Sequence, residues 1–164
     1  MDWFSWIAIF IFTFFTMELA AFLLHKYVMH GFLWSLHQDH HVPNKNRKWQ
    51  KNDFFAFVFA IPSFIFILTD HLWEIPALGS IGFGILAYGV AYFLVHEVII
   101  HRRIVLFSRL NHWYIVALNT AHKIHHANHD KENSYSLGML VVPWKHFQDS
   151  RMKNQKKIRI VKIP

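Results

Sequence analysis

Three long runs of apolar residues dominate the chain. The first run, Trp3–Leu24, has 22 residues and Glu18 as its only charge. At about 1.5 Å per residue, a helix of this length spans the ~30 Å of a bilayer core. Two further apolar runs, over 54–69 and 77–95, are separated by a short segment that ends in Pro76. This pattern predicts three transmembrane helices over about 3–24, 54–69 and 77–95, the last two forming a hairpin.

The first apolar run is predicted to remain in the mature protein. No basic residue precedes it, and His25 and Lys26 follow it directly without a small-residue cleavage site, so it differs from a signal peptide. A length of 164 residues suits one domain. The sequence therefore predicts an all-α integral membrane protein with a single membrane domain, residues 1–164, and a cytoplasmic, histidine-rich helical cap.

The basic residues fall on one side of this arrangement. Of the 17 Lys and Arg residues, five lie between Lys26 and Lys51 and twelve lie after residue 101. Neither the N-terminal run nor the 70–76 turn contains one, so the positive-inside rule places the basic side in the cytoplasm, as in a bacterial inner membrane. The net charge of +7, including the basic segment over 153–159, then indicates contact with the membrane surface and not with nucleic acid.

Histidine is the candidate for chemistry. The chain has 14 histidines and no cysteine, so any metal must bind through nitrogen or oxygen. Ten histidines form four clusters, here called boxes one to four, in the order His-x4-His, His-x2-His-His, His-x4-His and His-x2-His-His. The boxes are His25 and His30; His37, His40 and His41; His96 and His101; and His122, His125 and His126. Boxes one and three each follow a predicted transmembrane helix, so all four boxes are expected at one membrane face.

The spacing of the boxes favours a site for two metal ions. Helical residues at i, i+3 and i+4 share a face, so boxes two and four are each expected to form a metal half-site. Residues five apart in an α-helix differ by about 140°, so both members of boxes one and three can be ligands only if the helix bends or the metal lies between them. Ten ligands exceed the about six that one ion accepts, but they suit two ions with about five each.

Other interpretations of the boxes are less consistent with their pattern. Surface or core histidines would not be expected in paired clusters at helix ends, and haem needs isolated axial histidines. The segment over 96–101 has one residue too many for the zinc-protease box, in which two histidines lie four residues apart. A non-catalytic metal-binding membrane protein is the alternative outside the enzymes. Imidazole alone does not select among iron, zinc, copper and nickel.

The segment His25–His41 resembles the first two boxes of the bacterial β-carotene hydroxylases, within the membrane fatty-acid hydroxylase and sterol desaturase superfamily. The segments over 96–101 and 122–127 resemble the other two boxes, and 134–138 extends the similarity to roughly 20–142. The resemblance implies a non-haem diiron monooxygenase that uses O2 and a ferredoxin-like electron donor. It also implies β-carotene from the bilayer as substrate, hydroxylated at C3 of its β-ionone rings to β-cryptoxanthin and then zeaxanthin.

All ten box histidines are then expected to bind the two iron ions, which zinc could replace in purified protein. A fatty-acid or sterol hydroxylase or desaturase with the same boxes is the alternative within the superfamily. Related enzymes often carry aspartate directly after the first histidine of box three, where this chain has Glu97.

Four acidic residues are candidates for supporting roles. Glu18 lies seven residues before His25, and a carboxylate inside a span indicates a function. It is expected to orient a ligand histidine or to line the substrate path, the alternative being a bond to a polar group of a neighbouring helix. Asp39, Glu97 and Asp130 are expected to accept the free imidazole N–H of ligands. Four histidines outside the boxes are expected at the surface or beside the site: His71, His112, His129 and His146.

Overall fold

The computed structural model describes residues 1–42, 49–106, 110–127, 131 and 138–161, with side chains up to residue 152. All regular structure within these residues is helical, which confirms the all-α prediction. The α-helices are α1 (Trp3–Leu23), α2 (Trp34–His41), α3 (Ala56–Trp73), α4 (Pro76–Phe93), α5 (Trp113–Ala127) and α6 (Trp144–Val161). π-Helical segments continue α1 over Leu24–Phe32 and α4 over Leu94–Ile100, and a 3-10 turn, Lys51–Phe55, precedes α3.

Three of the described helical stretches are long and apolar enough to cross a membrane, in agreement with the predicted integral membrane protein. They are Trp3–Phe32, Lys51–Trp73 and Pro76–Ile100. Each is longer than the predicted span: the first continues to Phe32 and the third to Ile100, while the second extends at both ends. Box one and His96 are therefore built into the ends of the spanning helices, and His101 follows directly.

Helix α4 lies between α1 and α3 and packs closely against both. A Cβ added to Gly82 would lie 2.7 Å from the Ile67 side chain of α3, and one added to Gly84 would lie 2.8 Å from Thr13 of α1. Small residues thus permit the close helix contacts that the sequence predicts for α4. The Ser63 hydroxyl also donates to the carbonyl of Gly82 at 2.9 Å, which joins α3 to α4 inside the bundle.

Helix α5 carries box four and contacts α6. Its residues up to Ala121 pack into an apolar cluster with α6 and the segment before it, and box four follows directly along the helix. The buried members of this cluster are Ala117, Leu118, Ala121, Val142 and Phe147. The apolar contact holds α5 in place and so positions the three histidines that it carries.

Glu18 of α1 ties the segment before α6 to the spanning helices. Its carboxylate accepts the backbone N–H groups of residues 139–141 at 2.9–3.0 Å and the Tyr88 hydroxyl of α4 at 2.8 Å. The Leu140 carbonyl in turn accepts the Tyr114 hydroxyl of α5 at 2.6 Å. Irregular backbone next to a membrane requires such partners. These bonds correspond to the alternative role for Glu18, pairing with polar groups of neighbouring elements.

Replacing Glu18 with alanine is expected to destabilise the protein, because three backbone N–H groups and one hydroxyl lose their acceptor together. Each buried donor left unsatisfied costs about 1–3 kcal/mol. The midpoint of thermal unfolding in detergent should fall clearly for Glu18→Ala and by less for Tyr88→Phe, which removes one of the bonds. A Glu18→Ala variant as stable as the wild type would contradict the anchoring role.

Candidate metal centre

The two His-x4-His boxes lie along the two π-helical segments, with His101 directly following the second. A π-helix closes hydrogen bonds between residues five apart, so residues at i and i+5 are about one turn apart. The His101 amide donates to the His96 carbonyl at 2.9 Å in this pattern. The ring centroids of His25 and His30 are 5.1 Å apart, and those of His96 and His101 are 4.5 Å apart. The π-helix therefore brings both members of each box to one face, which an α-helix would not do.

Five buried histidines converge in one cluster, called group 1. Each offers one ring nitrogen, and these atoms lie within 4.8 Å of one another. The members are His25, His30, His37, His41 and His125. Group 1 therefore contains the whole of box one, two residues of box two and one residue of box four.

Four further histidines form a second cluster, called group 2, with ring nitrogens that also lie within 4.8 Å of one another. The members are His40, His101, His122 and His126. The tenth histidine, His96, lies against this group, with ring centroids 4.5–4.9 Å from three of its members. The groups adjoin, since the rings of His41 and His126 stack at 4.6 Å.

Boxes two and four are each divided between the groups, which corrects the expectation of one half-site per box. The i, i+4 pair of α2, His37 and His41, enters group 1, while His40 enters group 2. In α5 the i, i+4 pair, His122 and His126, enters group 2, while His125 enters group 1. Adjacent residues on an α-helix differ by about 100°, so the two members of a His-His pair cannot point at the same atom.

The spacing of the ring nitrogens fits metal coordination. Metal–imidazole bonds of about 2.0–2.1 Å place neighbouring ligand atoms about 3.0–3.4 Å apart, depending on geometry. Four pairs of Nε2 atoms lie 2.8–3.3 Å apart: His25 and His37, His37 and His41, His30 and His125, and His101 and His122. The buried Nε2 atoms of His40 and His126 have no hydrogen-bond partner among the described residues. A cation in each group would satisfy these atoms.

The outward-facing Nδ1 atoms of four histidines meet oxygen acceptors. His37 donates to Asn52 Oδ1 at 2.6 Å, and His40 donates to Gln50 Oε1 at 3.0 Å. His96 and His30 complete this set, with Glu97 Oε1 at 2.7 Å and the Lys131 carbonyl at 3.3 Å as acceptors. An acceptor at Nδ1 fixes the proton there, which leaves the Nε2 lone pair free to bind a metal.

The predicted acidic residues occupy different positions around the groups. Glu97 accepts from His96 directly. Asp39 acts through the turn before α3: its carboxylate accepts the backbone N–H groups of Lys51 and Asn52 at 2.6 and 3.4 Å. Asp130 lies outside the described residues, as does His129. Two histidines outside the boxes, His71 and His112, are exposed.

Sequence reasoning missed the side-chain amides of Gln50 and Asn52, which meet box two where carboxylates were expected. Asn52 belongs to the 3-10 turn before α3, and Gln50 is the residue that caps this turn. The signal that could have found them is the mainly polar segment between box two and the second apolar run.

Burial keeps the imidazoles neutral. Burial, together with a smaller contribution from nearby His41, lowers the pKa of His37 to about 3. Burial also lowers the pKa of His101 to about 4 and that of His126 to about 3, with smaller contributions from neighbouring charges. The pKa of His122 is likewise well below its usual range because the ring is buried. At neutral pH these rings are unprotonated, the form that binds metal.

Comparison with known proteins identifies relatives of the chain. The β-carotene hydroxylase of Pantoea ananas is 40% identical over 141 residues, which cover 84% of this chain and 78% of that protein. The β-carotene hydroxylase of Pseudescherichia vulneris is 37% identical over 126 residues, covering 76% of this chain and 69% of that protein. A third relative with this name, from a Paracoccus strain, is 32% identical over 128 residues, which cover 77% of this chain and 78% of the relative.

No solved structure shows a significant match to the chain. The family model described as fatty acid hydroxylase matches residues 10–147, a range that includes all four boxes. Because this match covers most of the sequence and the bacterial relatives are similar over most of their own length, the chain belongs to the fatty acid hydroxylase family.

Proposed function

We propose that the chain is a non-haem diiron monooxygenase that hydroxylates C3 of the β-ionone rings of β-carotene, giving β-cryptoxanthin and then zeaxanthin. The observation that carries this proposal is the convergence of nine box histidines in two adjacent groups beside the spanning helices. The names of the relatives, β-carotene hydroxylases, support the choice of substrate. The family description supports hydroxylation as the reaction class.

In this proposal the ten box histidines hold two iron ions. Group 1 supplies five ligands to one ion, and group 2 together with His96 supplies the other. About five imidazoles per ion leave room for dioxygen or water. Asn52, Gln50 and Glu97 hold the Nδ1 protons and so orient three of the rings. Asp39 keeps Asn52 in place by accepting its backbone N–H.

An iron pair, when bound, supplies the reductive activation of dioxygen that hydroxylation of an unactivated C–H bond requires. One oxygen atom is inserted into the C–H bond and the other is released as water, which consumes two electrons and two protons. We assign the electrons to a ferredoxin-like donor, as the resemblance of boxes one and two to those of the bacterial β-carotene hydroxylases implies.

The position of the groups suits a lipid-soluble substrate. β-Carotene dissolves in the bilayer, so a site at the ends of spanning helices can receive one ring while the polyene remains in lipid. We assign that end to the cytoplasmic face of a bacterial inner membrane, because all Lys and Arg residues lie on the same side of the three spans as the boxes.

A fatty-acid or sterol substrate is the second candidate, which the description of the family model favours. Expression in cells that accumulate β-carotene separates the candidates. Chromatography of the pigments should show β-cryptoxanthin and zeaxanthin at the expense of β-carotene. Unchanged pigments together with newly hydroxylated or desaturated lipids would favour the second candidate. Unchanged pigments and lipids, with the protein present in the membrane, would favour a non-catalytic metal-binding protein.

Variants of the adjacent histidine pairs connect this activity to the groups. Alanine at any one of His40, His41, His125 or His126 should abolish both hydroxylated pigments, because each variant removes a ring from one group. The matched control is His71→Ala, which changes an exposed histidine of α3 and should retain nearly all activity. Activities are compared at equal amounts of membrane-inserted protein. Substantial activity in two or more of the four variants would contradict the assignment of the ligands.

Acid should destabilise the metal-free protein. An unfolded histidine has a pKa of about 6.5, whereas His37 and His126 have folded values of about 3. Between these values the unfolded chain binds more protons than the folded chain, so the free energy of unfolding decreases as the pH falls. Above about pH 7 both states are neutral at these rings, and their contribution is constant.

The midpoint of thermal unfolding, measured in detergent after chelation, should therefore be nearly constant from pH 8 to about 7 and should decrease towards pH 5. His37→Asn removes one of the titrating groups and should make this decrease shallower. A midpoint that stays constant down to pH 5 would show that the rings are not buried in neutral form.

A further inference from the structure

Arg103 joins two carboxylates that come from different parts of the chain. Its guanidinium donates to both carboxylate oxygens of Asp53, at 2.6 and 2.8 Å, and to Glu97 Oε2 at 2.9 Å. Its backbone N–H also donates to the Glu97 carbonyl at 2.9 Å. Asp53 belongs to the 3-10 turn before α3, and Glu97 belongs to the π-helical segment after α4. Arg103 therefore links the two elements that support the histidines.

The first arm of this network runs from Arg103 to His96. Glu97 uses Oε2 to bind Arg103 and Oε1 to accept the Nδ1 proton of His96. Both Glu97 and His96 are largely withdrawn from solvent, with side chains 13% and 3% exposed. The His96 ring lies against His101 and His40, both members of group 2. The orientation of Glu97 thus determines how His96 faces group 2.

The second arm runs from Arg103 to His40. Asp53 binds Arg103 with both oxygens, and its Oδ2 also accepts the backbone N–H of Gln50 at 3.1 Å. The Gln50 side chain accepts the Nδ1 proton of His40, which is 2% exposed. Through Asp53, Arg103 therefore fixes the residue that orients His40. Both arms end at group 2.

The described hydrogen-bond partners of group 1 follow a different route. The Asn52 side chain accepts from His37, and the backbone N–H of Asn52 is held by Asp39. His30 donates to the backbone carbonyl of Lys131. These bonds use carboxylate, amide and carbonyl groups that are not bonded to the guanidinium. Asn52 belongs to the same 3-10 turn as Asp53, so group 1 is linked to Arg103 less directly than group 2.

We propose that Arg103 is a positioning residue for group 2, which holds Glu97 and Asp53 in the orientations that aim His96 and His40 at a metal ion. The proposal rests on the proposed function, because it takes the histidine groups to be metal sites. A planar guanidinium suits this position, since it offers five N–H donors in a fixed fork and can bind two carboxylates at once. A lysine ammonium keeps the charge but lacks the fork.

Removing Arg103 leaves Asp53 and Glu97 close together without the cation between them. Repulsion between the two negative charges then favours rearrangement of both side chains. Glu97 and Gln50 would then no longer be held against His96 and His40. Loss of a hydrogen-bond partner of a metal-binding histidine typically lowers metal affinity by about 10–100-fold. The effect should be larger at group 2, because both arms of the network that begin at Arg103 end there.

The experiment measures metal release from the purified, iron-loaded protein in detergent. A chromogenic Fe²⁺ chelator is added in excess without oxygen, and the release of the two ions is followed with time. In Arg103→Ala, one of the two ions should leave about 10–100-fold faster than in the wild type, while release of the other ion should be accelerated much less. Arg103→Lys should give an intermediate rate. The matched control, Arg102→Ala, removes the neighbouring arginine and should release both ions at wild-type rates.

Glu97→Gln extends the test to the first arm. The Glu97→Gln variant alone should accelerate release of the same ion. The double variant with Arg103→Ala should accelerate release by less than the product of the two single effects, because both residues act through one hydrogen-bond network. Unchanged release from Arg103→Ala and Arg103→Lys would overturn the proposal while leaving the proposed function intact. Equal acceleration of both ions would also overturn it, since Arg103 would then support the fold as a whole. Wild-type protein that binds no iron would overturn the proposed function and this inference together.

Discussion

The structure depends on the burial of neutral imidazoles whose ring nitrogens face one another. Eight of the ten box histidines are buried, and His37 and His125 are among the largest side chains that are fully enclosed. Where Nδ1 carries the proton, two facing Nε2 atoms are both acceptors and cannot bond to each other. Buried polar atoms without partners are costly, and a cation between the facing rings would satisfy both nitrogens together. The rest of the molecule can be understood as the means of holding these rings together.

Different helical elements make different contributions to the convergence of the histidine rings. The π-helical segments turn residues five apart to the same face, and α2 and α5 each send histidines to both groups. Close packing of α4 against α1 and α3 sets the distance between the elements that carry boxes one and three. Outside the rings, amide and carboxylate acceptors fix the Nδ1 protons, and Arg103 connects two of these acceptors. The ligands of the centre therefore come from the two π-helical segments and the residue after the second, from α2 and from α5.

The coarse arrangement could be predicted because its signals are local. Apolar runs long enough to span a bilayer identify the three spanning helices, and the four boxes identify the candidate ligands without any structure. The common face of the boxes follows from the number of spans. Glu97 could be named as a partner of an imidazole because it is adjacent to His96 in the sequence.

The finer arrangement depends on geometry and on contacts between distant residues. The five-residue spacing of boxes one and three places the two histidines on different faces of an α-helix, which has 3.6 residues per turn. In a π-helix the same spacing places them on one face. The division of boxes two and four depends on how α2 lies beside α5, which no local pattern reports. Arg103 and Asp53 are 50 residues apart, and Glu18 meets Leu140 across 122 residues. Such pairs cannot be recognised from spacing alone.

Metal content is the most direct test of the central claim, that the converging rings are two metal sites. The protein should be produced with ample iron, purified in detergent and analysed for all transition metals together with its amino-acid content. Two groups of converging histidines predict two metal ions per chain, with iron predominating. One ion per chain, or none, would contradict the account.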